Sequence, residues 1–240
     1  MLEKLLEYRR AVRRYSKTNR IDTQVVQHCL ELAQLAPTSS NLQLWEAYHI
    51  VDPKVLAEIA EACFGQWSVK TAQEVVVFVT RQDLYAQRAQ AVFQDNVDNI
   101  RQIAPEDKIA WRIQKVKDYY KKLVPSLYSR FCGLLGMRRK IITWIVGFFR
   151  PIVREVSESD MNTVVHKSCA LVAQTFMLAM AEHSYDTCPL EWFDSDRIKK
   201  ILKLPRWAEV SLVVTCGIRE EGGIHGPRFR IPFQEQYKRI

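Results

Sequence analysis

The stretch Ala36-Pro37-Thr38-Ser39-Ser40-Asn41-Leu42-Gln43-Leu44-Trp45 joins a predicted helix to a predicted strand. Apolar side chains recur at helical spacing over residues 23–36, behind the N-cap candidate Asp22. Residues 46–51 are predicted as a strand. Between them, three hydroxyls, two amides, a proline and a tryptophan can offer hydrogen bonds and an aromatic wall to a planar polar ligand. An ordinary turn has a similar composition, so the interpretation depends on the rest of the chain.

The overall composition is that of an ordinary globular protein. The chain has 240 residues, 48% hydrophobic and 26% charged, without repeats or low-complexity tracts, so one domain with at most one elaboration is expected. Six cysteines occur singly, without a C-x-x-C pair, which indicates buried free thiols in a reducing compartment. They are Cys29, Cys63, Cys132, Cys169, Cys188 and Cys216. The first residues lack the order of a signal peptide, so a cytoplasmic location is expected.

The net charge of +8 suggests an anionic ligand, nucleic acid or a membrane surface. A nucleic-acid binder should show a recognition motif or a basic face interleaved with aromatic residues. The arginines instead cluster at a few places that one phosphate group could gather. Nucleic acid is therefore not an expected partner.

The densest basic segment is Arg9-Arg10-Ala11-Val12-Arg13-Arg14, at the end of a helix predicted over residues 2–14. Guanidinium groups suit phosphate because two parallel donors match two oxygens. Two structural alternatives exist. The arginines can form a solvated basic face, or they can stabilise the negative end of the helix dipole.

Further elements follow from periodicity and capping residues. A helix is predicted after Asp52-Pro53, and a strand buried on both faces over residues 74–80. Residues 82–124 are predicted as two polar helices separated by Pro105. The remaining predictions are a long buried helix over residues 161–183 behind a Ser157-x-x-Asp160 capping box, a short helix capped by Asp194 and a buried strand over residues 208–217.

Residues 126–153 contain an unusual apolar segment, 134–150, with basic residues at its ends. The uncharged run between Lys140 and Arg150 has nine residues, far fewer than the ~20 needed to span a bilayer. Three interpretations remain open. The segment can pack into a dimer interface or over an active site, form an ordinary core helix, or lie in a membrane interface.

Taken together, four segments resemble the signatures of the FMN-dependent nitroreductase family. Arg9–Arg13 and Pro37–Trp45 resemble a basic R-x-S-x-R/K segment and a P-S-x-x-N-x-Q-P-W loop. Residues Tyr185–Asp194 are similar to a third signature, roughly G-L-x-x-x-P-x-E-G-F, and His225–Phe233 to a closing basic pair before a proline. The resemblance covers nearly the whole chain except about residues 100–155, where family members carry variable insertions that line the substrate pocket.

This resemblance implies an α+β fold with a central, mostly antiparallel sheet flanked by helices. It implies a single domain over residues 1–240, with a variable helical insertion at about 100–155 and a C-terminal arm from about 222. It also implies an obligate homodimer, with one FMN per active site at the subunit interface and the arm wrapped around the partner.

The resemblance also implies a set of cofactor-binding residues. Arg9, Arg10, Arg228 and Arg230 would neutralise the FMN phosphate, and Arg13 would lie near N1 and the C2 carbonyl of the ring. The other implied contacts are Ala11, which replaces a family serine, Pro37, Thr38, Ser39 and Asn41 from the other subunit, Gln66 at the ring edge, and the backbone of Pro189, Leu190 and Glu191.

One departure from the family pattern concerns the substrate pocket. Trp192 stands where the family has a glycine, which allows close approach of a backbone to a ligand. Its side chain must therefore point away from the flavin or cover the ring. Trp192 and Trp144, in the insertion, are the candidate pocket residues.

The implied chemistry is a ping-pong oxidoreduction. NADH or NADPH would pass a hydride to flavin N5, and a small organic acceptor such as a nitroaromatic or quinone would take the electrons. The flavin carries the chemistry, so no catalytic side chain is expected, and the five histidines show no metal-ligand spacing. Two alternatives remain: a membrane-associated flavin reductase, with membrane contact through 134–150, and an FMN-binding protein without NAD(P)H turnover.

Overall fold

An antiparallel four-stranded sheet lies at the centre of the fold in the computed structural model, which describes residues 2–240. The spatial order is β1-β2-β4-β3, and every neighbouring pair is antiparallel. The strands are β1 (Trp45–Ile50), β2 (Glu74–Thr80), β3 (Asp186–Leu190) and β4 (Glu209–Gly217). The α+β fold expected from the sequence is confirmed.

Helices cover both faces of the sheet because β2 is apolar on both. Its Val76 and Phe78 pack under α2 (Thr23–Ala33) and the long α9 (Glu158–Glu182). On the other face, the valines at alternate positions of β2 pack with α3 (Pro53–Ala62) and α10 (Ser195–Ile201). The fully buried β2 predicted from its β-branched run is confirmed.

The predicted helix starts are confirmed by capping hydrogen bonds. Asp22 and Asp52 accept bonds from the first turns of α2 and α3, and Asp194 does the same for α10. Ser157 and Asp160 form the reciprocal capping box at the start of α9. By length and composition α9 could cross a membrane, but its contacts with α2 and the sheet identify it as a core helix.

The predicted helix over residues 2–14 is wrong in its second half. Helix α1 ends at Tyr8, and the chain continues extended because its backbone pairs with distant segments. The N–H groups of Val12 and Arg13 donate to Thr187 O at 3.2 Å and Gly223 O at 2.7 Å. Tertiary pairing thus replaces the helical bonds that the spacing of leucines predicted.

Two further expectations need correction. Strand β3 was not predicted, because only its pairing with β4 reveals it. Five of the six cysteines are buried free thiols, but Cys132 is exposed.

The segment between β2 and α9, which contains the expected insertion, is mostly helical. Pro105 separates two helices, as predicted. The helices are α5 (Tyr85–Ile103), α6 (Glu106–Asp118), a single π-helical turn (Tyr119–Leu123), α7 (Val124–Tyr128) and α8 (Leu134–Val146). The interpretation of 134–150 as an ordinary core helix is wrong, because most apolar side chains of α8 are exposed.

Two short helices complete the chain. Helix α4 (Trp67–Lys70) precedes β2, and α11 (Phe233–Gln236) lies in the C-terminal segment. From residue 227 onward every residue is exposed.

Candidate functional site

Five arginines meet in a cleft where the extended N-terminal segment lies beside the C-terminal segment. Ala11 forms a bridge with Thr187 of β3, and Val12 forms one with Ile224. The Val12–Ile224 bridge brings residues 9–13 and 224–230 together across more than 200 positions of sequence, and the Ala11 bridge holds the first segment against β3. We refer to the resulting cavity of about 270 Å³ as the arginine cleft. It is lined by Arg9, Arg10, Ala11, Arg13, Ile224, His225, Pro227, Arg228, Phe229 and Arg230.

The charges of the arginine cleft are not balanced within it, since no carboxylate is among the lining residues. Burial lowers the pKa of Arg9, and the neighbouring cations Arg228 and Arg230 lower it further. The Nε atom of Arg9 is buried and has no hydrogen-bond partner. A half-buried guanidinium among like charges is stabilised when an anion with several acceptor oxygens enters the cleft. The donor set therefore fits a phosphate group.

The arginines of the cleft differ in how far the protein already uses their N–H groups. Arg228 donates to three carbonyl oxygens at the end of α1, and Arg10 donates to Gly226 O at 2.9 Å. The side chains of Arg9 and Arg13 make no hydrogen bond within residues 2–240, and Arg230 makes one, to Phe229 O. Arg9, Arg13 and Arg230 are therefore the arginines with most donors available to a ligand.

Strand β3 lies beside the arginine cleft, paired with Ala11, and carries a buried hydroxyl without a partner. Burial raises the pKa of the Cys188 thiol, and the nearby cations Arg13 and Arg9 oppose that rise. Within residues 2–240, the hydroxyl oxygen of Thr187 is buried without a hydrogen-bond partner. Pro189 and Leu190 continue β3, and Glu191 leaves it as an exposed residue. The strand thus leads from the cationic cleft to the Glu191–Trp192 turn.

Gln66 contacts the backbone after β3. Its Nε2 donates to Trp192 O at 2.9 Å and to Cys63 O at 3.2 Å. The indole of Trp192 is 76% exposed and does not line the arginine cleft. The Trp192 side chain extends into solvent, and its orientation relative to a flavin stays a prediction. Gln66 holds the turn that carries it.

The Pro37–Gln43 loop adopts a strained backbone that other elements hold in place. Ser40, Asn41 and Gln43 have φ values of 54°, 52° and 50°, in the left-handed region that non-glycine residues rarely occupy. The N–H of Ser39 donates to Ser168 Oγ at 3.1 Å. Strain of this kind persists only where surrounding contacts impose it, and it concentrates at functional sites.

Three tyrosines of the insertion complete this support, and sequence reasoning missed them. The Tyr128 hydroxyl donates to Ser39 Oγ at 3.1 Å, and the Tyr120 hydroxyl donates to Ser40 O at 3.1 Å. The Tyr119 hydroxyl lies 2.7 Å from Ser40 Oγ. The only sequence signal was the adjacent pair Tyr119-Tyr120 within a charged segment. Nothing in that pair indicated which residues the hydroxyls would contact.

Within one chain, the structure does not bring this loop to the arginine cleft. The loop enters β1 at Trp45, which pairs with Thr80 at the Glu209 end of β4. The cleft adjoins Thr187, which pairs with Cys216 on the outermost strand at the other side. Trp45 and Thr187 are three strand spacings apart across the sheet and about seven residues apart along it, which corresponds to a diagonal of roughly 25 Å. The site residues expected from the sequence thus form two separate groups.

A second cavity lies between the loop and the insertion. Its volume is about 440 Å³, and its lining includes Ser39, Tyr128, Arg139, Ile142 and Val156. Trp144 does not line it. The Trp144 indole is 62% exposed and packs edge-on against Phe148, with ring centroids 4.9 Å apart. We refer to this space as the insertion cavity.

Comparison with known proteins identifies the family. The model of the nitroreductase family matches residues 6–218. The chain belongs to this family. Because the match ends at residue 218, Arg228 and Arg230 lie beyond it, and the tertiary structure alone joins them to the cleft.

Three relatives illustrate how this nitroreductase-family chain compares with others. It is 23% identical to MhqN of Bacillus subtilis, provisionally named an NAD(P)H nitroreductase, over 96% of this chain and 95% of the relative. It is 26% identical to an NADH dehydrogenase of Thermus thermophilus, over 94% and 89% of the two chains. A provisionally named nitroreductase from Exiguobacterium sibiricum, solved in complex with FMN, superposes with a TM-score of 0.70 at 21% identity, covering 100% and 97%.

Proposed function

We propose that the protein is an FMN-dependent oxidoreductase that takes electrons from NADH or NADPH and passes them to a small organic acceptor such as a nitroaromatic or a quinone. The observation that carries the proposal is the arginine cleft, which has no balancing carboxylate and contains the half-buried Arg9 with its unpartnered Nε. Family membership and the NAD(P)H and FMN in the relatives' names support the same assignment.

The side chains of the cleft would bind and orient the cofactor. Arg9 and Arg230 would donate charge-assisted hydrogen bonds to its phosphate, and Arg10 and Arg228 would add charge while fastening the cleft wall. Arg13, beside Cys188, would place a cation near the ring, where it favours the anionic reduced form. When bound, FMN supplies a ring that accepts a hydride and releases electrons to a second substrate.

The turn after β3 would set access to the ring. Pro189, Leu190 and Glu191 would present backbone to it, and Gln66 would hold this backbone through its bond to Trp192 O. Because the Trp192 indole points into solvent, it would flank the entrance as part of the pocket rim rather than fill the ring site.

We further propose that the protein is a homodimer with each site shared between two subunits. Pro37, Thr38, Ser39 and Asn41 do not line the arginine cleft of their own chain, and Trp45 at the end of their loop lies roughly 25 Å from Thr187 beside that cleft. A two-fold axis can bring the loop of one subunit to the cleft of the other. The strained, tightly supported loop backbone supports this role, because a rigid loop loses little entropy on binding.

The insertion cavity is the proposed location for part of the organic acceptor. It adjoins Ser39 and Ser40 of the loop, and most of its lining is apolar, as the site of a flat aromatic compound requires. Trp144 lies outside this cavity, so its proposed pocket role would require the second subunit.

The test is a visible absorption spectrum of the purified protein, followed by FMN reconstitution and anaerobic addition of NADPH or NADH. We expect flavin bands at about 450 nm that bleach with either nucleotide. Bands that persist with both would leave an FMN-binding protein without NAD(P)H turnover. A colourless protein that cannot take up FMN would overturn the proposal, and the arginine cleft would then need another anion. The buried cysteines support a reducing, cytoplasmic compartment for this activity.

A further inference from the structure

Helix α8 places polar residues inward and apolar residues outward. Its buried positions are Gly136, Arg139 and Thr143. Arg139 is 92% buried, since only 8% is exposed, and its guanidinium donates to three backbone carbonyls, among them Val156 O at 2.7 Å. A surface helix of a globular protein normally buries its apolar stripe. The attachment of α8 to the fold therefore uses its polar side and leaves the apolar side free.

The outward face of α8 and the turn after it form a continuous apolar surface, which we call the α8 face. Its side chains are 49% to 85% exposed. They are Met137, Ile141, Trp144, Ile145, Phe148 and Phe149. Single exposed apolar residues are normal, but a contiguous group of this size marks an interaction surface.

The segment that carries the α8 face is rich in positive charge. Residues 119–154 contain eight lysines and arginines and no aspartate or glutamate, and the whole chain has a net charge of +8. The remaining residues are therefore neutral in sum. Arg138 and Lys140 lie on α8, and Arg150 and Arg154 follow it. Lys140 is 3.5 Å from Asp160, the one carboxylate that pairs with a cation of residues 134–154.

The charge distribution decides which occupant fits the α8 face. A second copy of this chain seated on the α8 face would bring Arg138, Arg150 and Arg154 of both copies together at low dielectric, which is unfavourable because none of them is paired with a carboxylate within residues 2–240. An anionic bilayer surface instead supplies both an apolar boundary for aromatic and aliphatic side chains and headgroups for the arginines. With 13 residues, α8 is too short to span the bilayer, so it would lie in the interface plane.

We propose that the α8 face docks the protein on membranes that contain anionic lipids, with α8 parallel to the surface. Trp144, Phe148 and Phe149 insert at the acyl boundary, and Arg138 and Arg150 contact the headgroups. The insertion cavity lies directly behind α8 and is lined by its Ile142 and Thr143. Docking would thus bring that cavity within reach of apolar molecules dissolved in the bilayer.

The test is flotation of the full-length protein with vesicles, which does not depend on flavin content or activity. Vesicles of phosphatidylglycerol and phosphatidylcholine are compared with vesicles of phosphatidylcholine alone, at low and high salt. We expect at least tenfold stronger binding to the anionic vesicles and weakening with salt. Binding that is absent, or equal with neutral vesicles, would overturn the proposal.

Matched variants locate the binding surface. Trp144→Ser with Phe149→Ser should reduce anionic-vesicle binding at least tenfold, whereas Trp207→Ser, a tryptophan of similar exposure outside the insertion, should not. Arg138→Gln with Arg150→Gln should also weaken binding, and the control Lys54→Gln with Lys200→Gln removes the same charge elsewhere. Circular dichroism verifies folding. If Trp144→Ser with Phe149→Ser dissociates an oligomer while vesicle binding is unchanged, the α8 face is a protein interface and the proposal fails.

Discussion

The guanidinium group of Arg228 donates a hydrogen bond of 2.7 Å to the carbonyl oxygen of Arg9, 219 positions earlier in the chain. The same group bonds Leu6 O and Glu7 O, which are free carbonyls at the end of α1. Arg228 therefore satisfies the helix terminus and closes the arginine cleft. Its neighbour Arg9 makes no such bonds and retains its donors for a ligand.

Replacing Arg9 should weaken cofactor binding without lowering the stability of the apoprotein. Arg9→Gln should raise the Kd for FMN by roughly 10- to 100-fold, since a hydrogen bond to a charged group contributes about 1.5–3 kcal/mol. It should not lower the melting temperature of the apoprotein, because it removes a cation that Arg228 and Arg230 repel. Flavin fluorescence titration and thermal unfolding measure the two effects. Arg101→Gln on α5 is the control, and a loss of apoprotein stability specific to Arg9→Gln would contradict the assigned role.

Replacing Arg228, in contrast, should mainly lower the stability of the apoprotein. Arg228→Ala leaves three carbonyls of the α1 end to water, and we expect a loss of about 1 kcal/mol, or a fall in Tm of about 2–4 °C, in the apoprotein. Arg228→Lys keeps the charge without the fork of donors, so it should recover FMN affinity better than stability. Equal recovery of both would show that charge alone matters at this position.

A mixed dimer tests whether each site is shared between subunits. One chain carries Arg9→Gln with Arg13→Gln, and the other carries Asn41→Asp, which tolerates the left-handed backbone of that position. If cleft and loop come from different subunits, the mixed dimer has one intact site and should bind about half the FMN of the wild type. If both come from one chain, neither site is intact, and mixing restores nothing.

The lowered pKa of Glu209 predicts that part of the stability of the fold is lost in acid. Hydrogen bonds from His166, Asn162 and Arg130 lower its pKa to about 2. The folded chain therefore binds this proton less readily than the unfolded chain, so the stabilisation is complete above about pH 4.5 and is lost as the pH falls towards 2. The side chain is 37% exposed, so solvent screening limits the effect to about 1 kcal/mol.

Urea unfolding of the apoprotein between pH 7 and pH 3 measures this contribution. Glu209→Gln should be less stable than the wild type at pH 7, and the difference should shrink as the pH falls. Glu235→Gln, in the exposed C-terminal segment, is the control. A difference that stays constant with pH would show that the carboxylate charge of Glu209 does not stabilise the fold.

Local physical chemistry made much of the fold predictable. Asp22, Asp52 and the Ser157–Asp160 pair mark helix starts because they satisfy backbone donors a few residues away. The β-branched run of β2 identifies a strand buried on both faces, because each face needs an apolar side chain at alternate positions. The residues of the candidate site came instead from the resemblance of the basic and polar segments to the nitroreductase signatures.

Long-range pairing decided the rest. Residues 9–16 are extended because Thr187, Gly223 and Ile218 supply backbone partners, and no local pattern encodes those partners. The inward position of Arg139 on an otherwise apolar helix depends on carbonyls of other segments. The sequence by itself determined which residues can form helices and strands, because these depend on neighbours along the chain. Only the tertiary structure decided that the arginines meet and that the Pro37–Gln43 loop lies at the opposite corner of the sheet, because strand order is set by contacts across the whole fold.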